Sequence, residues 1–153
     1  YAGLLALTTV LVVQALLFAD GGLSALGLNV LNMGVVTVVV AWLVFKGLMK
    51  ILPKGRPSIL GATFVAALVS VPASALAFVL EYALGGTASF TLSQVLVAMT
   101  SVNVLIGIGE ALITVLTVGA VLAARPDLVY GARGLLPDLE IRTTPAPAPA
   151  TGA

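Results

Sequence analysis

Four long stretches with almost no charge dominate this sequence and leave it few ways to fold. A helix crossing a hydrocarbon layer of about 30 Å needs roughly 20 mostly apolar residues, because lipid offers no hydrogen-bond partner to an open backbone. Tyr1–Ala19, Gly21–Phe45 and Pro57–Leu80 carry no charge, and Thr91–Ala124 is interrupted only by Glu110. The sequence therefore predicts an all-α integral membrane protein with about four transmembrane helices, at about residues 1–19, 28–50, 58–82 and 91–124. These make one transmembrane domain over residues 1–130.

Composition then removes whole classes of function. The net charge of +1 supplies no basic field for nucleic acid. Cys and His are both absent from the 153 residues, which rules out a disulfide framework, a thiolate or imidazole metal site and a Ser-His or Cys-His nucleophile built from this chain. No glycine-rich G-x-x-x-x-G-K-[ST] phosphate loop occurs, so nothing here points to nucleotide hydrolysis. An intramembrane enzyme would need paired carboxylates or a nucleophile with its base, whereas Glu110 is the one carboxylate the pattern sets at membrane depth. No catalytic residue is assigned.

Basic residues accumulate in short cytoplasmic loops, and their placement here is one-sided. Lys46, Lys50, Lys54 and Arg56 surround the second turn, Arg125, Arg133 and Arg142 follow the fourth span, and the other turns hold only Asp20 and Glu81. Four alternating spans with a cytoplasmic carboxyl end satisfy this pattern. Residues 131–153 read as a cytoplasmic, disordered tail, because its alternating Pro and Ala from Pro145 to Ala150 sustain neither a helix nor a core. The chain begins at Tyr1, already within apolar sequence and without a Met, a basic flank or a cleavage pattern. That reads as an amino-terminally truncated fragment rather than a signal peptide.

Within the spans, Glu110 asks for an explanation first, since ionisable groups at membrane depth face a bundle interior or a hydrated path. On a helix, Thr100, Asn103, Gly107, Glu110, Thr114 and Thr117 fall on one face. The stripe lines a solute path or forms a polar helix–helix interface. The run from Thr91 to Ala124 would reach roughly 51 Å at 1.5 Å per residue, longer than the hydrocarbon layer. The helix must break, tilt or protrude: Gly107-Ile108-Gly109 is the expected weak point, because glycine permits close backbone approach or an unwound turn, or Thr91–Thr100 forms a separate outer segment. In the third span, Ala62, Ala66, Ser70, Ala73 and Ala77 make a ridge of small residues suited to close helix packing, and Pro72 is expected to kink it. Phe18 to Gly34 is too apolar for a solvated loop and reads as a structured outer turn. Asn29, Asn32 and Met33 sit one helical turn apart there, aimed at a cavity or at other helices.

The residues Gln14-Ala15-Leu16-Leu17-Phe18-Ala19-Asp20-Gly21-Gly22, Ala25-Leu26-Gly27 and Asn29-Val30-Leu31-Asn32-Met33-Gly34 resemble the CbiM/NikM family. Its members are the substrate-capture (S) components of energy-coupling-factor (ECF) cobalt and nickel transporters. Gly107-Ile108-Gly109-Glu110-Ala111-Leu112-Ile113-Thr114 and Arg125-Pro126-Asp127-Leu128 are similar to the family's last conserved helix, and the resemblance runs over about residues 8–130. It implies a larger bundle of about six to seven helices. It also implies that Co²⁺ or Ni²⁺ is held by a Met-His amino terminus and a further His upstream of Tyr1, so no metal ligand is carried over onto this chain.

Members often have His where this sequence has Asn103. Asn32, Met33, Asn103 and Glu110 are left as candidates that brace the absent ligands or line the ion's path. The implied function is ATP-driven uptake of cobalt or nickel across a prokaryotic cell membrane, for example to supply cobalamin synthesis. The implied partners are a transmembrane coupling (T) subunit, cytosolic ATPase subunits and a small accessory membrane subunit. A non-transporting membrane scaffold fits the composition equally well.

Overall fold

A computed structural model describes residues 2–18 and 22–135. It is all-helical over those residues, as the apolar runs require. Helix α1 (Ala2–Leu17) is followed by α2 (Gly22–Asn29), a π-helical segment (Val30–Val36) and α3 (Thr37–Ile51). Helices α4 (Arg56–Gly85) and α5 (Leu92–Ala124) complete the bundle, and two 3₁₀ turns, Pro126–Leu128 and Tyr130–Ala132, follow.

Three rods are long and apolar enough to cross a membrane: Leu23–Ile51 with 29 residues, Arg56–Gly85 with 30 and Leu92–Ala124 with 33. The first expected span is shorter than the others. Helix α1 has 16 residues, which at a rise of 1.5 Å gives about 24 Å, less than the hydrocarbon thickness. The second starts earlier than residue 28. What reads as an outer turn from Phe18 to Gly34 is mostly helix, because the apolar residues of α2 and the π segment continue directly into α3 with helical φ and ψ at Asn29 and Val36. The proposed Asp20 turn lies outside the described residues.

Helix α5 is continuous, without the break expected at Gly107-Ile108-Gly109 or a detached outer segment. Of the two roles open to these glycines, Gly107 takes close approach. A Cβ there would lie 3.1 Å from the Leu68 carbonyl oxygen and 3.4 Å from Pro72 Cδ. Helix α4 contains Pro72 within its length. Pro72 has no N–H, so the Leu68 carbonyl lacks its usual i+4 donor at the place where α5 comes close through Gly107. The small-residue ridge follows the expectation in its first half, where Ala62, Ala66 and Ser70 are buried. From Val71 onward the buried face moves to Val71, Ser74, Ala75 and Val79, while Ala73 and Ala77 are half-buried.

Local signals fix the ends of these helices. Pro57 stands in the first turn of α4, where a missing N–H costs nothing. Thr91 and Gln94 form a reciprocal capping box at the start of α5, with Thr91 N donating to Gln94 Oε1 at 3.0 Å and Gln94 N to Thr91 Oγ1 at 3.4 Å. Tyr82 Oη lies 2.8 Å from the Ala88 carbonyl and 2.9 Å from that of Phe90, bracing the turn between α4 and α5.

At the opposite end, Ile59, Leu122 and Ala132 form a buried cluster packed by Phe45, Met49, Leu60, Val118, Val129 and Leu135. The packed region thus extends past residue 130. The Pro/Ala repeat lies outside the described residues. Six basic residues share this end: Lys46, Lys50, Lys54, Arg56, Arg125 and Arg133. Lys46 sits 4.3 Å from the Trp42 ring centroid and Arg133 4.6 Å from that of Tyr130. Arg125 and Asp127 pair at 2.7 Å just beyond α5, and each holds the other's charge: the Arg125 pKa is raised and the Asp127 pKa lowered, chiefly by their shared hydrogen bond.

Candidate functional site

Toward the other end, four elements enclose a cavity of about 460 Å³. Each contributes a stripe dictated by helical spacing. Leu7, Val10, Leu11 and Gln14 come from α1, and Val71, Ser74, Ala75 and Phe78 from α4, both in an i, i+3, i+4, i+7 pattern. Met99, Asn103, Ile106 and Glu110 line it from α5, while Asn29, Asn32, Met33 and Thr37 bracket the π segment. The four residues singled out from sequence, Asn32, Met33, Asn103 and Glu110, therefore meet on one cavity although up to 78 positions separate them in the chain (from 32 to 110).

Their environments differ. Asn103 and Glu110 lie seven positions apart, two helical turns, so they share a face of α5. Asn103 Nδ2 donates to the Met99 carbonyl at 2.8 Å, which leaves its carbonyl oxygen as the free end of the amide. Glu110 is exposed and has no salt-bridge partner among the described residues. Met33 is 51% exposed and offers a thioether, whereas Asn32 is 6% exposed. Asn32 Nδ2 donates to Glu81 Oε2 at 2.8 Å. Glu81, which the sequence reading put in an outer turn, belongs to α4, and the helix continues beyond it to Gly85.

The π segment gives this wall its shape. Its seven residues include all of the Asn29–Gly34 motif except Asn29, which ends α2. The Asn32 carbonyl accepts both the Thr37 N–H and, at 3.0 Å, the Thr37 hydroxyl. Wider π turns are rare and recur at functional sites because they redirect side chains from the regular helical path. Gly34 is buried, and a Cβ there would meet Leu4 Cδ1 at 3.5 Å, so α1 packs closely against this segment.

The polar stripe expected along α5 divides into two surfaces. Asn103 and Glu110 face the cavity, but Gly107 and the fully buried Ala111 face α4. Thr100 Oγ1 is buried without a partner, and Thr117 returns its hydroxyl to the Ile113 carbonyl at 2.8 Å, away from the cavity. Sequence reasoning did not single out Gln14, Thr37, Ser74 or Met99 as cavity residues. Gln14 had a signal, being a lone amide in an uncharged run at the head of the first motif. Among the described residues no group of three or more His, Cys, Asp or Glu side chains comes together to hold a metal.

The fold and cavity define an all-α membrane protein whose helices enclose a chamber walled by amides, hydroxyls, a thioether and one carboxylate. The chain belongs to the CbiM family: residues 1–128 match the cobalt uptake substrate-specific transmembrane region. It is 40% identical over 121 residues to the cobalt transport protein CbiM of Roseiflexus sp. (strain RS-1), covering 74% of this chain and 46% of that protein. It is 35% identical over 129 residues to an Archaeoglobus fulgidus protein bearing the name "Putative fused nickel transport protein NikMN", covering 84% of this chain and 42% of that one. The cobalt transport protein CbiM of Thermosynechococcus vestitus is 35% identical over 112 residues, covering 71% of this chain and 43% of that protein. The chain spans about half the length of the curated relatives it matches. No solved structure matches it.

Proposed function

We propose that this chain forms the cavity-bearing part of the substrate-capture component of an ATP-driven, ECF-type cobalt or nickel uptake transporter. The observation that carries this reading is the meeting of Asn32, Met33, Asn103 and Glu110 on one cavity in a chain of the CbiM family. A carboxylate in a region of low dielectric attracts a divalent cation strongly, and amide oxygens accept hydrogen bonds from its water ligands. Cobalt and nickel also favour imidazole and other nitrogen ligands, which distinguish them from Mg²⁺ and Ca²⁺. This sequence has no His, so in this reading nitrogen ligands come from elsewhere in the complete protein while the cavity braces them and receives the ion's remaining water.

The charge layout supports the same direction of travel. Among the described residues, Glu81 and Glu110 are the charged groups above the basic end, so a cation approaching the cavity meets only negative charge. The basic end faces the cytoplasm of a prokaryotic cell membrane by the positive-inside rule, and the cavity opens toward the outside. Transport then proceeds by reorientation of this component against a transmembrane coupling subunit, with cytosolic ATPase subunits supplying the energy and a small accessory membrane subunit completing the assembly. This chain hydrolyses nothing itself, and the captured ion serves, for example, cobalamin synthesis.

Calorimetric titration of CoCl₂ and NiCl₂ into the complete purified protein tests the reading. Saturable binding, weakened by Glu110→Gln, is the expected result. A protein that folds but binds neither ion would turn the account toward a non-transporting membrane scaffold.

A further inference from the structure

The Asn32 side chain is held in an orientation that one partner dictates. Its Nδ2 donates to Glu81 Oε2, the one side-chain-to-side-chain hydrogen bond between helices among the described residues. An ionised carboxylate only accepts, so turning the amide over would set oxygen against oxygen. Asn32 Oδ1 is thereby left buried without a donor. Nothing in the local backbone requires this, since the Asn32 carbonyl is already satisfied by Thr37. A buried amide oxygen without a partner is costly, and here it belongs to a residue on the cavity wall.

We propose that Glu81 is a positioning residue: it fixes the Asn32 amide so that Oδ1 stands ready to accept a hydrogen bond from a water ligand of a hydrated divalent cation in the cavity. This rests on the cation-capture reading above. Glu81 does not line the cavity and acts only through Asn32. Oδ1 is shielded from solvent, and Asn32 itself lines the cavity, so a small side-chain adjustment at the wall brings a seated ion's water to it. With the amide reversed, Nδ2 hydrogens would point at the hydrogens of that water and repel the ion.

The test uses the complete protein in detergent, with CoCl₂ and NiCl₂ as probes and MgCl₂ as control. Glu81→Gln keeps the side-chain shape but can donate as well as accept, which releases the amide's orientation. It should weaken Co²⁺ and Ni²⁺ binding about tenfold while the unfolding midpoint hardly moves. The exchanged pair Asn32→Asp with Glu81→Gln restores a one-way hydrogen bond and keeps an acceptor on the wall, so it should recover binding. Co²⁺ is paramagnetic and should broaden the Asn32 side-chain amide resonances of the wild type.

Wild-type affinity in Glu81→Gln, a loss that simply follows lost stability, or bound Co²⁺ with unaltered Asn32 resonances would each overturn the positioning role. Failure of the wild type to bind either ion would overturn the capture reading itself, a result distinct from those three.

Discussion

Gly107 and Gly109 stand two residues apart on α5 and differ in what a methyl group would meet. At Gly107 a Cβ would lie 3.1 Å from the Leu68 carbonyl oxygen, 3.4 Å from Pro72 Cδ and 3.5 Å from Val71 Cβ, whereas at Gly109 nothing lies within 4 Å. Replacing glycine by alanine inside a helix gains about 1 kcal/mol of helix propensity, and both positions receive that gain. Only Gly107→Ala also pushes a methyl against a backbone carbonyl and a proline ring, neither of which can rotate away. Overpacking of this kind costs about 1–3 kcal/mol. The propensity gain cancels between the two variants, so Gly109→Ala should be the more stable by about 1–3 kcal/mol. Unfolding in mixed micelles, followed by circular dichroism, measures the difference, and leucine at the same positions should widen it. Two alanine variants equal within about 0.5 kcal/mol would refute the claim that Gly107 serves close approach of α4 and α5.

Other outcomes follow from the same contacts. Glu110→Gln in the complete protein should lower cobalt or nickel accumulation in cells more than Thr117→Ala, because Thr117 returns its hydroxyl to its own helix away from the cavity; isotope uptake decides. Asn32→Ala strands the Glu81 carboxylate, half-buried, and should cost about 1–3 kcal/mol in the same unfolding assay. Thr91→Ala removes the capping box of α5 and should cost about 1 kcal/mol, with faster amide exchange confined to the first turn. The Asp127 pKa is lowered on folding, so whatever its pairing with Arg125 contributes is fully present above the unfolded carboxylate pKa and is lost as pH falls through the folded value. The pair is exposed, and Asp127→Asn should leave the thermal midpoint at neutral pH unchanged.

Much of the architecture was legible because membrane solvation acts on whole segments. Long apolar runs marked α3, α4 and α5, and the clustering of Lys and Arg marked the end of the bundle where Phe45, Ile59 and Leu122 pack together. The seven-residue spacing of Asn103 and Glu110 placed both on one face of α5, where the structure has them. Other features depend on contacts that no local pattern encodes. The same lack of a side chain lets Gly107 either break a helix or admit a neighbour, and only the position of Leu68 and Pro72 decides between them. The π segment at Val30–Val36 is a change in backbone hydrogen bonding without a residue-type signature, so the Asn32 motif read as a turn. Glu81 looked like a loop residue because charge usually marks a span's edge; its bond to Asn32 joins positions 49 apart in the chain. Gln14 and Phe78 become cavity residues only once α1 and α4 are brought face to face.

The central claim is that a cation is captured in the cavity between α1, the π segment, α4 and α5. Anomalous X-ray scattering at the cobalt edge, from crystals of the complete protein soaked in CoCl₂, tests it most directly. The expected result is an anomalous peak inside the cavity, within reach of Asn32, Asn103 and Glu110 through the ion's water ligands, and diminished in Glu110→Gln. A peak elsewhere in a well-ordered protein, with none in the cavity, would contradict the account.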